Sequence, residues 1–148
     1  MIIRELKATE VPAIARIEEK CFSNPWSKDS IKSSFANKAN RFYVAEKDGV
    51  IVGYMGLSIS VDEGYILNVA TLPEYRRQGI AKALINHIIN MYSEKLKFIT
   101  LEVRPSNTAA LKLYEGFGFE QVGERKNYYS NPAENAVLLT LFFSKENI

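Results

Sequence analysis

The residues Arg76-Arg77-Gln78-Gly79-Ile80-Ala81-Lys82 carry the clearest chemical pattern in the chain. Before them, Tyr65 to Ala70 is a run of strand formers. After them the apolar spacing turns helical, with Ile80, Leu84, His87, Ile88 and Met91 on one stripe. A helix that opens straight after a glycine leaves its first backbone N–H groups unpaired. Together with the positive end of the helix dipole, those groups attract an anion. Gly79 has no side chain to block a ligand approaching the backbone, and Arg76, Arg77 and Lys82 add full positive charge. The spacing predicts a phosphate cradle on a strand–loop–helix unit. The plainer alternative is an ordinary connection with a solvated basic face. Neither G-x-x-x-x-G-K-[ST] nor G-x-G-x-x-G occurs, so a P-loop and a Rossmann dinucleotide site are not supported.

Two side chains downstream could move protons. On the strand Ile99 to Val103, alternation puts Ile99, Leu101 and Val103 on one face and Thr100, Glu102 and Arg104 on the other. A central strand between helices is covered on both faces, so a carboxylate there is costly without a partner or a task. Glu102 is therefore either a general base or half of a Glu102–Arg104 pair at the end of the sheet. Tyr114 sits near the end of a helix, between Leu111 and Leu113 on one side and Gly116 on the other. A phenol, with an ordinary pKa near about 10, can protonate a departing thiolate of pKa about 8.5; the alternative is a core aromatic.

Other reactive residue types point elsewhere. Asn107 reads as a helix N-cap. Cys21 lies on an apolar helical stripe with no histidine near it in sequence, which fits a buried structural thiol better than a nucleophile. His87 is the sole histidine and falls mid-helix among core positions, so no Ser–His–Asp set is built around it. No group of His, Cys, Asp or Glu has metal-ligand spacing.

These candidates need elements to hold them. Ile2 to Lys7 reads as a first strand. Thr9 is a candidate N-cap for a helix carrying Val11, Ile14, Ala15, Ile17, Glu18 and Cys21, with Glu10 and Pro12 in its first turn. Ser23-Asn24-Pro25-Trp26-Ser27 breaks that helix, and Ser27 caps a second one through about Phe35. Trp26 either seals the core or lines a groove. Arg41–Lys47 and Val50–Val61 are strands joined by the hairpin signal Asp48-Gly49. Gly53 and Gly56 suggest a bulge or a close backbone approach. Asp62-Glu63-Gly64 turns into the strand Tyr65–Ala70, and the helix after Gly79 runs to about Glu94 or Lys95. Phe98–Val103 follows as a strand, so this strand–helix–strand unit implies a parallel crossover. A helix over Ala109–Phe117 and strands over Glu120–Tyr128 and Ala136–Phe143 complete the order β α α β β β α β α β β. The expected class is α+β: a mixed, mostly antiparallel sheet with a central parallel pair, flanked by about four helices.

Composition sets outer limits. A length of 148 residues and 47% hydrophobic content fit a single globular domain over residues 1–148 with its own core. A net charge of +2 is too small to argue for direct nucleic-acid binding. One cysteine makes no internal disulfide and suggests a reducing compartment. No apolar run is long enough to span a membrane, and the start lacks the apolar core of a signal peptide. The expectation is a cytoplasmic protein that is a monomer or weak dimer.

The turn Arg76-Arg77-Gln78-Gly79-Ile80-Ala81 resembles the Q/R-x-x-G-x-G/A motif of the GNAT acyltransferases, and the element order is that of the GNAT fold. Glu102-Val103-Arg104, followed by Asn107-x-x-Ala110-x-x-Leu113-Tyr114-x-x-x-Gly118-Phe119, resembles the second motif of the RimI-type N-terminal acetyltransferases. Pro25-Trp26-Ser27 and Arg125-Lys126-Asn127-Tyr128-Tyr129 are similar to further stretches of that group. The resemblance implies acetyl-CoA as donor and the N-terminal alanine of a small-subunit ribosomal protein as acceptor, with no metal. It implies Glu102 as general base and Tyr114 as general acid. Val69, Ala70 and Thr71 would bond the pantetheine arm and acetyl carbonyl through their backbone. Arg77, Gln78, Gly79, Ile80, Ala81 and Lys82 would cradle the pyrophosphate, and Asn107 would touch the cofactor. Thr71-Leu72 and Ala81 depart from the commoner residues of the family. Other amine acceptors (lysine, a polyamine, an amino acid), a non-catalytic coenzyme A sensor and an RNA-associated protein remain as alternatives.

Overall fold

In the computed structural model, residues 1–143 are described. Seven strands form one sheet in the order β1-β2-β3-β4-β5-β7-β6. They are β1 (Ile2–Glu5), β2 (Asn40–Lys47), β3 (Val50–Ser60), β4 (Glu63–Thr71), β5 (Phe98–Val103), β6 (Glu120–Tyr129) and β7 (Glu134–Phe142). The helices are α1 (Val11–Cys21), α2 (Lys28–Ala36), α3 (Ile80–Tyr92) and α4 (Thr108–Gly116). All strand pairs are antiparallel except β4 with β5. The expected class, the parallel pair and the four helices are all present.

Local chemistry explains most boundaries. Ser27 caps α2, its hydroxyl accepting from the Ser30 N–H at 3.1 Å. Asp48 and Gly49 take φ of 51° and 78°, the pair of positive values that a two-residue type I′ hairpin needs. The two glycines of β3 are sites of close approach. A Cβ on Gly53 would stand 2.9 Å from the Ile80 side chain, and one on Gly56 would stand 2.7 Å from the Phe42 ring.

The sheet is covered on both faces by alternation along β2 and β3. Tyr43, Ala45, Met55 and Leu57 join Leu84, Ile85 and Ile88 of α3 in one core. Val44 and Tyr54 point the other way and join Ile14 and Ile17 of α1 and Ile31 of α2. Each fully buried aliphatic side chain contributes about 1.5–3 kcal/mol.

Four expectations are corrected. Thr9 is not an N-cap, because Ala8–Glu10 is a separate 3₁₀ turn. There the Glu10 carboxylate accepts from the Lys7 N–H at 2.9 Å and pairs with Arg4 at 2.7 Å. Met91 leaves the inward stripe of α3 and is 38% exposed, and Tyr92 takes the last core position. The Tyr92 hydroxyl meets that of Tyr43 at 2.7 Å. Strand β4 starts at Glu63, since Glu63 and Gly64 already pair with Phe98 and Ile99. Strand β7 starts at Glu134, opposite Tyr129, rather than at Ala136. Among the described residues no helix is long and apolar enough to cross a membrane.

The feature that makes room for a site is the short parallel seam. Strands β4 and β5 pair only at Glu63–Phe98, Gly64–Ile99 and Tyr65–Thr100. Just beyond, β4 carries an extra residue: Gly56 pairs with Asn68 and Leu57 with Ile66, so Leu67 is bulged. A bulge bends its strand and sharpens its twist. Strand β5 keeps its pairing with β7 to Val103. The two strands therefore diverge.

Candidate active site

The divergence opens a cleft of about 740 Å³. One wall is β4 from Tyr65 to Val69, and the facing wall is β5 from Leu101 to Arg104 with Asn107, Ala110 and Tyr114. Glu18 and Cys21 of α1, the α1–α2 loop and the β6–β7 loop close its acceptor end. On the β4 wall, residues beyond Tyr65 have no ladder partner on the β5 side. Alternate backbone N–H and C=O groups of a strand point to each neighbour, so this wall offers a ligand main-chain groups that have no ladder partner, the Val69 N–H among them being held by Asn68 Oδ1 at 3.2 Å.

Four predicted residues line the cleft: Glu102, Tyr114, Val69 and Asn107. Ala70 and Thr71 continue β4 past it, and the Ala70 side chain is buried in the α1–α2 core. The cradle lies where that strand leads. After Thr71 come the 3₁₀ turn Pro73–Tyr75, the basic loop and α3, whose first residue is Ile80. Gly79 caps α3 in the left-handed region with φ of 78°, and no side chain caps the helix. Arg77 is also left-handed, with φ of 64°. A Cβ built on Gly79 would meet nothing within 4 Å. The space above the helix N-terminus is thus open, and a phosphate fits the open N–H groups there. Arg77, Gln78 and Lys82 are exposed, and Arg77 and Lys82 form no salt bridge among the described residues. Ile80 is buried in the core and Ala81 is half-buried, so only their backbone can face a ligand. Arg76 instead laces the loop, its Nε donating to the Thr71 carbonyl at 3.3 Å. Lys47, on the β2–β3 hairpin, brings a further cation by donating to Gln78 Oε1 at 2.6 Å.

The Glu102 side chain is only 4% exposed, and its Oε2 pairs with Arg125 Nε at 2.9 Å. The Tyr65 hydroxyl donates to Oε1. Burial, followed by this bond to a carboxylate, pushes the Tyr65 phenol well above its ordinary value. The alternative pairing with Arg104 does not occur. Arg104 binds Glu134 at 3.2 Å and the carbonyls of Ser130 and Pro132, and stacks over the Tyr129 ring at 4.4 Å. Desolvation alone would raise Glu134, but the hydrogen bonds from Ser106 and Arg104 outweigh it and leave it below the usual carboxylate range. Burial pushes Tyr129 up to about 12.

Tyr114 is 5% exposed and packs edge-on to Phe119, with ring centroids 5.2 Å apart. Burial pushes its phenol up, so the hydroxyl is fully protonated near neutral pH. Asn107 caps α4 by accepting from the Ala110 N–H at 3.1 Å while bordering the cleft. The Cys21 thiol donates to the Thr71 carbonyl at 3.2 Å, and burial raises its pKa, which disfavours a nucleophilic thiolate. His87 packs edge-on to Tyr43 at 5.2 Å and does not line the cleft. Trp26 fulfils both of its expected roles, packing on the α1–α2 core and lining the cleft.

Sequence reasoning missed three features. Glu18 was placed on the apolar stripe of α1 with no role, yet its buried carboxylate lines the cleft and accepts from Trp26, Tyr54 and Asn68. The signal was a carboxylate interrupting an otherwise apolar stripe. Tyr65 and Arg125, the two partners of Glu102, come from separate strands that only the fold brings together. The third is a bridge over the acceptor end. Ser23 Oγ donates to the Asn131 carbonyl at 2.6 Å, and Asn24 Nδ2 donates to that of Ser130 at 3.2 Å.

Known proteins share this fold. Residues 11–119 match the acetyltransferase (GNAT) family. A Bacillus subtilis protein described as a putative [ribosomal protein bS18]-alanine N-acetyltransferase is 36% identical over 139 residues, 93% of this chain and 92% of its own length. The Escherichia coli K12 [ribosomal protein bS18]-alanine N-acetyltransferase is 32% identical over 142 residues, 94% of this chain and 95% of its own. The crystal structure of the ribosomal-protein-S18-alanine N-acetyltransferase from Escherichia coli superposes with a TM-score of 0.92 at 31% identity, over 99% of this chain and 96% of that one. Arabidopsis thaliana NAA60 in complex with acetyl-CoA shares the fold, with a TM-score of 0.85 at 20% identity over 95% of this chain and 98% of that one. With this match over residues 11–119 and relatives 32% and 36% identical along nearly their whole length, the chain belongs to the acetyltransferase (GNAT) family.

Proposed function

We propose that the protein transfers the acetyl group of acetyl-CoA directly to the N-terminal alanine α-amino group of a small-subunit ribosomal protein in the cytoplasm. One observation carries the chemistry: Glu102 and Tyr114 line the same cleft, whose opposite wall is unpaired β4 backbone. The relatives named as bS18-alanine acetyltransferases, at 32% and 36% identity, support the acceptor. So does the bridge between the α1–α2 and β6–β7 loops, because a closed rim admits a chain end more readily than the middle of a chain.

The open N–H groups at Gly79 to Lys82, with Arg77 and Lys82, hold the pyrophosphate. The backbone of Val69 to Thr71 carries the pantetheine arm, and Asn107 borders its path. An α-amino group has a pKa of roughly 7.7–8.0 and arrives partly as ammonium. Glu102, directly or through a water, takes one proton. The incoming cation exchanges with the Arg125 guanidinium, whose side chain is 57% exposed and free to swing away. The neutral nitrogen attacks the thioester carbonyl carbon, and the developing oxyanion is held by backbone N–H near Val69. As the intermediate collapses, the C–S bond breaks and Tyr114 donates its proton to the sulfur. The C–S electron pair stays on sulfur, the second nitrogen proton passes to the tyrosinate and restores the phenol, and the proton on Glu102 returns to solvent. Alignment of the two reactants supplies much of the rate.

The test measures free thiol release from acetyl-CoA with peptides that differ in their first residue, beside an N-terminally blocked peptide carrying an internal lysine. Turnover should be fastest with an N-terminal alanine and absent with the blocked peptide. Equal turnover on the lysine peptide would refute the acceptor assignment. Coenzyme binding without thiol release on any amine would refute catalysis.

A further inference from the structure

Among the described residues, one buried carboxylate has no part in the mechanism above. Glu18 is 1% exposed, and among the described residues it forms no salt bridge. Three neutral donors from three different segments satisfy it. The Trp26 N–H of the α1–α2 loop donates to Oε1 at 2.9 Å. Asn68 Nδ2 of β4 donates to Oε2 at 2.7 Å, and the Tyr54 hydroxyl of β3 donates to the same oxygen. Helix α1 therefore ties the acceptor loop to the donor strand through one carboxylate.

The Asn68 bond has a directional consequence. A carboxylate only accepts, so Asn68 must turn its NH₂ toward Glu18. Its Oδ1 then faces the other way, where it accepts from the Val69 N–H at 3.2 Å. That contact lies at the long end of the ordinary range. An N–H carries one hydrogen, so a ligand carbonyl would share it with Oδ1 in a three-centre bond. Asn68 sits at the bulge, next to Leu67, where β4 turns away from β5. Glu18, Asn68, Val69 and Trp26 all line the cleft.

We propose that Glu18 is a positioning residue of the transfer reaction. Through Asn68 it holds the Val69 N–H on the cleft side of β4, where a thioester carbonyl shares its hydrogen with Asn68 Oδ1, and through the Trp26 N–H it holds the acceptor loop in register with that donor. This inference rests on the assignment of the Val69 N–H above. Glu18 touches neither reactant's reacting atoms; it acts by alignment. Gln at position 18 keeps the shape but presents an NH₂ to donors, which frees the Asn68 amide to flip.

The test is a steady-state comparison of Glu18→Gln, Asn68→Ala, the double variant and Tyr54→Phe, with melting temperatures for each. Glu18→Gln should lower kcat by about tenfold to a hundredfold. It should raise peptide KM severalfold and leave acetyl-CoA KM within about threefold, because the pyrophosphate grip lies beyond the cleft. Asn68→Ala should lower kcat similarly, and the double variant should be no slower than the slower single one. Tyr54→Phe keeps both positioning bonds, so it should lower the melting temperature while kcat stays within about twofold. A merely structural role would give Glu18→Gln a lower melting temperature with unchanged kcat and KM, and that result overturns the proposal. So does a double variant whose losses multiply, or a Tyr54→Phe loss equal to that of Glu18→Gln. If Glu18→Gln does not fold, Asn68→Ala alone decides, and wild-type kcat in that variant overturns the proposal. A fully active Glu102→Gln enzyme would instead refute the base assignment, leaving the comparison at Glu18 readable by itself.

Discussion

Gly79→Val separates the fold from the ligand more cleanly than any other single change. Gly79 has φ of 78°, and valine there must adopt a left-handed conformation. That strain costs about 1–3 kcal/mol. The added side chain meets no protein atom, since nothing lies within 4 Å of the Cβ position. The stability cost is therefore the backbone strain alone. For a domain of this size about 1 kcal/mol moves the melting temperature by roughly 2–4 °C, so a drop of about 2–12 °C is expected and the protein stays folded at room temperature. The ligand is affected more strongly. The valine side chain is expected to crowd a phosphate out of the open space at the start of α3. Hydrogen bonds to a charged group contribute about 1.5–3 kcal/mol each. Losing two of them weakens coenzyme A by about 3–6 kcal/mol, or roughly 10²–10⁴ in dissociation constant. Gly79→Ala pays similar strain but obstructs less, so its loss should be intermediate. Calorimetric titration of coenzyme A into each folded variant reads the affinity, and a thermal melt reads the strain. Wild-type affinity in Gly79→Val, with the melting temperature lowered as expected, would refute a pyrophosphate site at this turn.

Other predictions follow from the geometry around the buried acids. Glu102→Gln should lower the rate at neutral pH by about 10²–10⁴. Activity should recover in part at high pH, where the amine loses its proton without help; an unchanged pH–rate profile would argue against its role as base. Arg125→Met removes the cation that covers Glu102 at 2.9 Å, so peptide KM should fall severalfold and lose part of its salt dependence. A raised KM would mean that Arg125 binds the acceptor instead. Finally, hydrogen bonds from Arg4 hold Glu10 down from 4.5 to about 2. A depressed carboxylate stabilises the fold above its ordinary pKa and loses that contribution as pH falls through the lower one. The stability gap between wild type and Glu10→Gln should therefore be constant above about pH 4.5 and close toward pH 2 in acid titrations followed by circular dichroism. A gap undiminished at pH 2 would exclude the linkage.

The left-handed turn at Gly79, the place of Glu102 on its strand and the fold class were legible in the sequence because each rests on local pattern. Gly79 marks a left-handed turn, the change from strand to helical spacing marks the crossover, and alternation from Ile99 to Val103 sets Glu102 apart from its apolar neighbours. The partners of those residues were not legible. Arg125 reaches Glu102 across β7, which lies between β5 and β6, and no spacing in the sequence encodes that span. Arg104, the nearer choice in sequence, is drawn away by Glu134 and Tyr129. Glu18 was hidden by its helical phase. Its place on the apolar stripe is the same whether it fills a core or faces a cleft, and only the bulge at Leu67 decides between them. Thr9 misled because a threonine before an apolar run imitates a cap, whereas Glu10 reaching back to the Lys7 N–H does that work.

The unpaired edge of β4 has a consequence for inheritance. Peptide groups are identical at every position, so a binding wall made of them survives replacement of nearly every side chain that builds it. The Leu67 bulge needs the strand to bend, not a particular residue to react. The rim is made instead of side chains from the α1–α2 and β6–β7 loops, among them Trp26 and Ser130, which each admit substitution separately. A lineage built this way can keep its donor for as long as it keeps its backbone, and can still change what it modifies by drift at the rim. Arabidopsis thaliana NAA60 shares the fold at 20% identity.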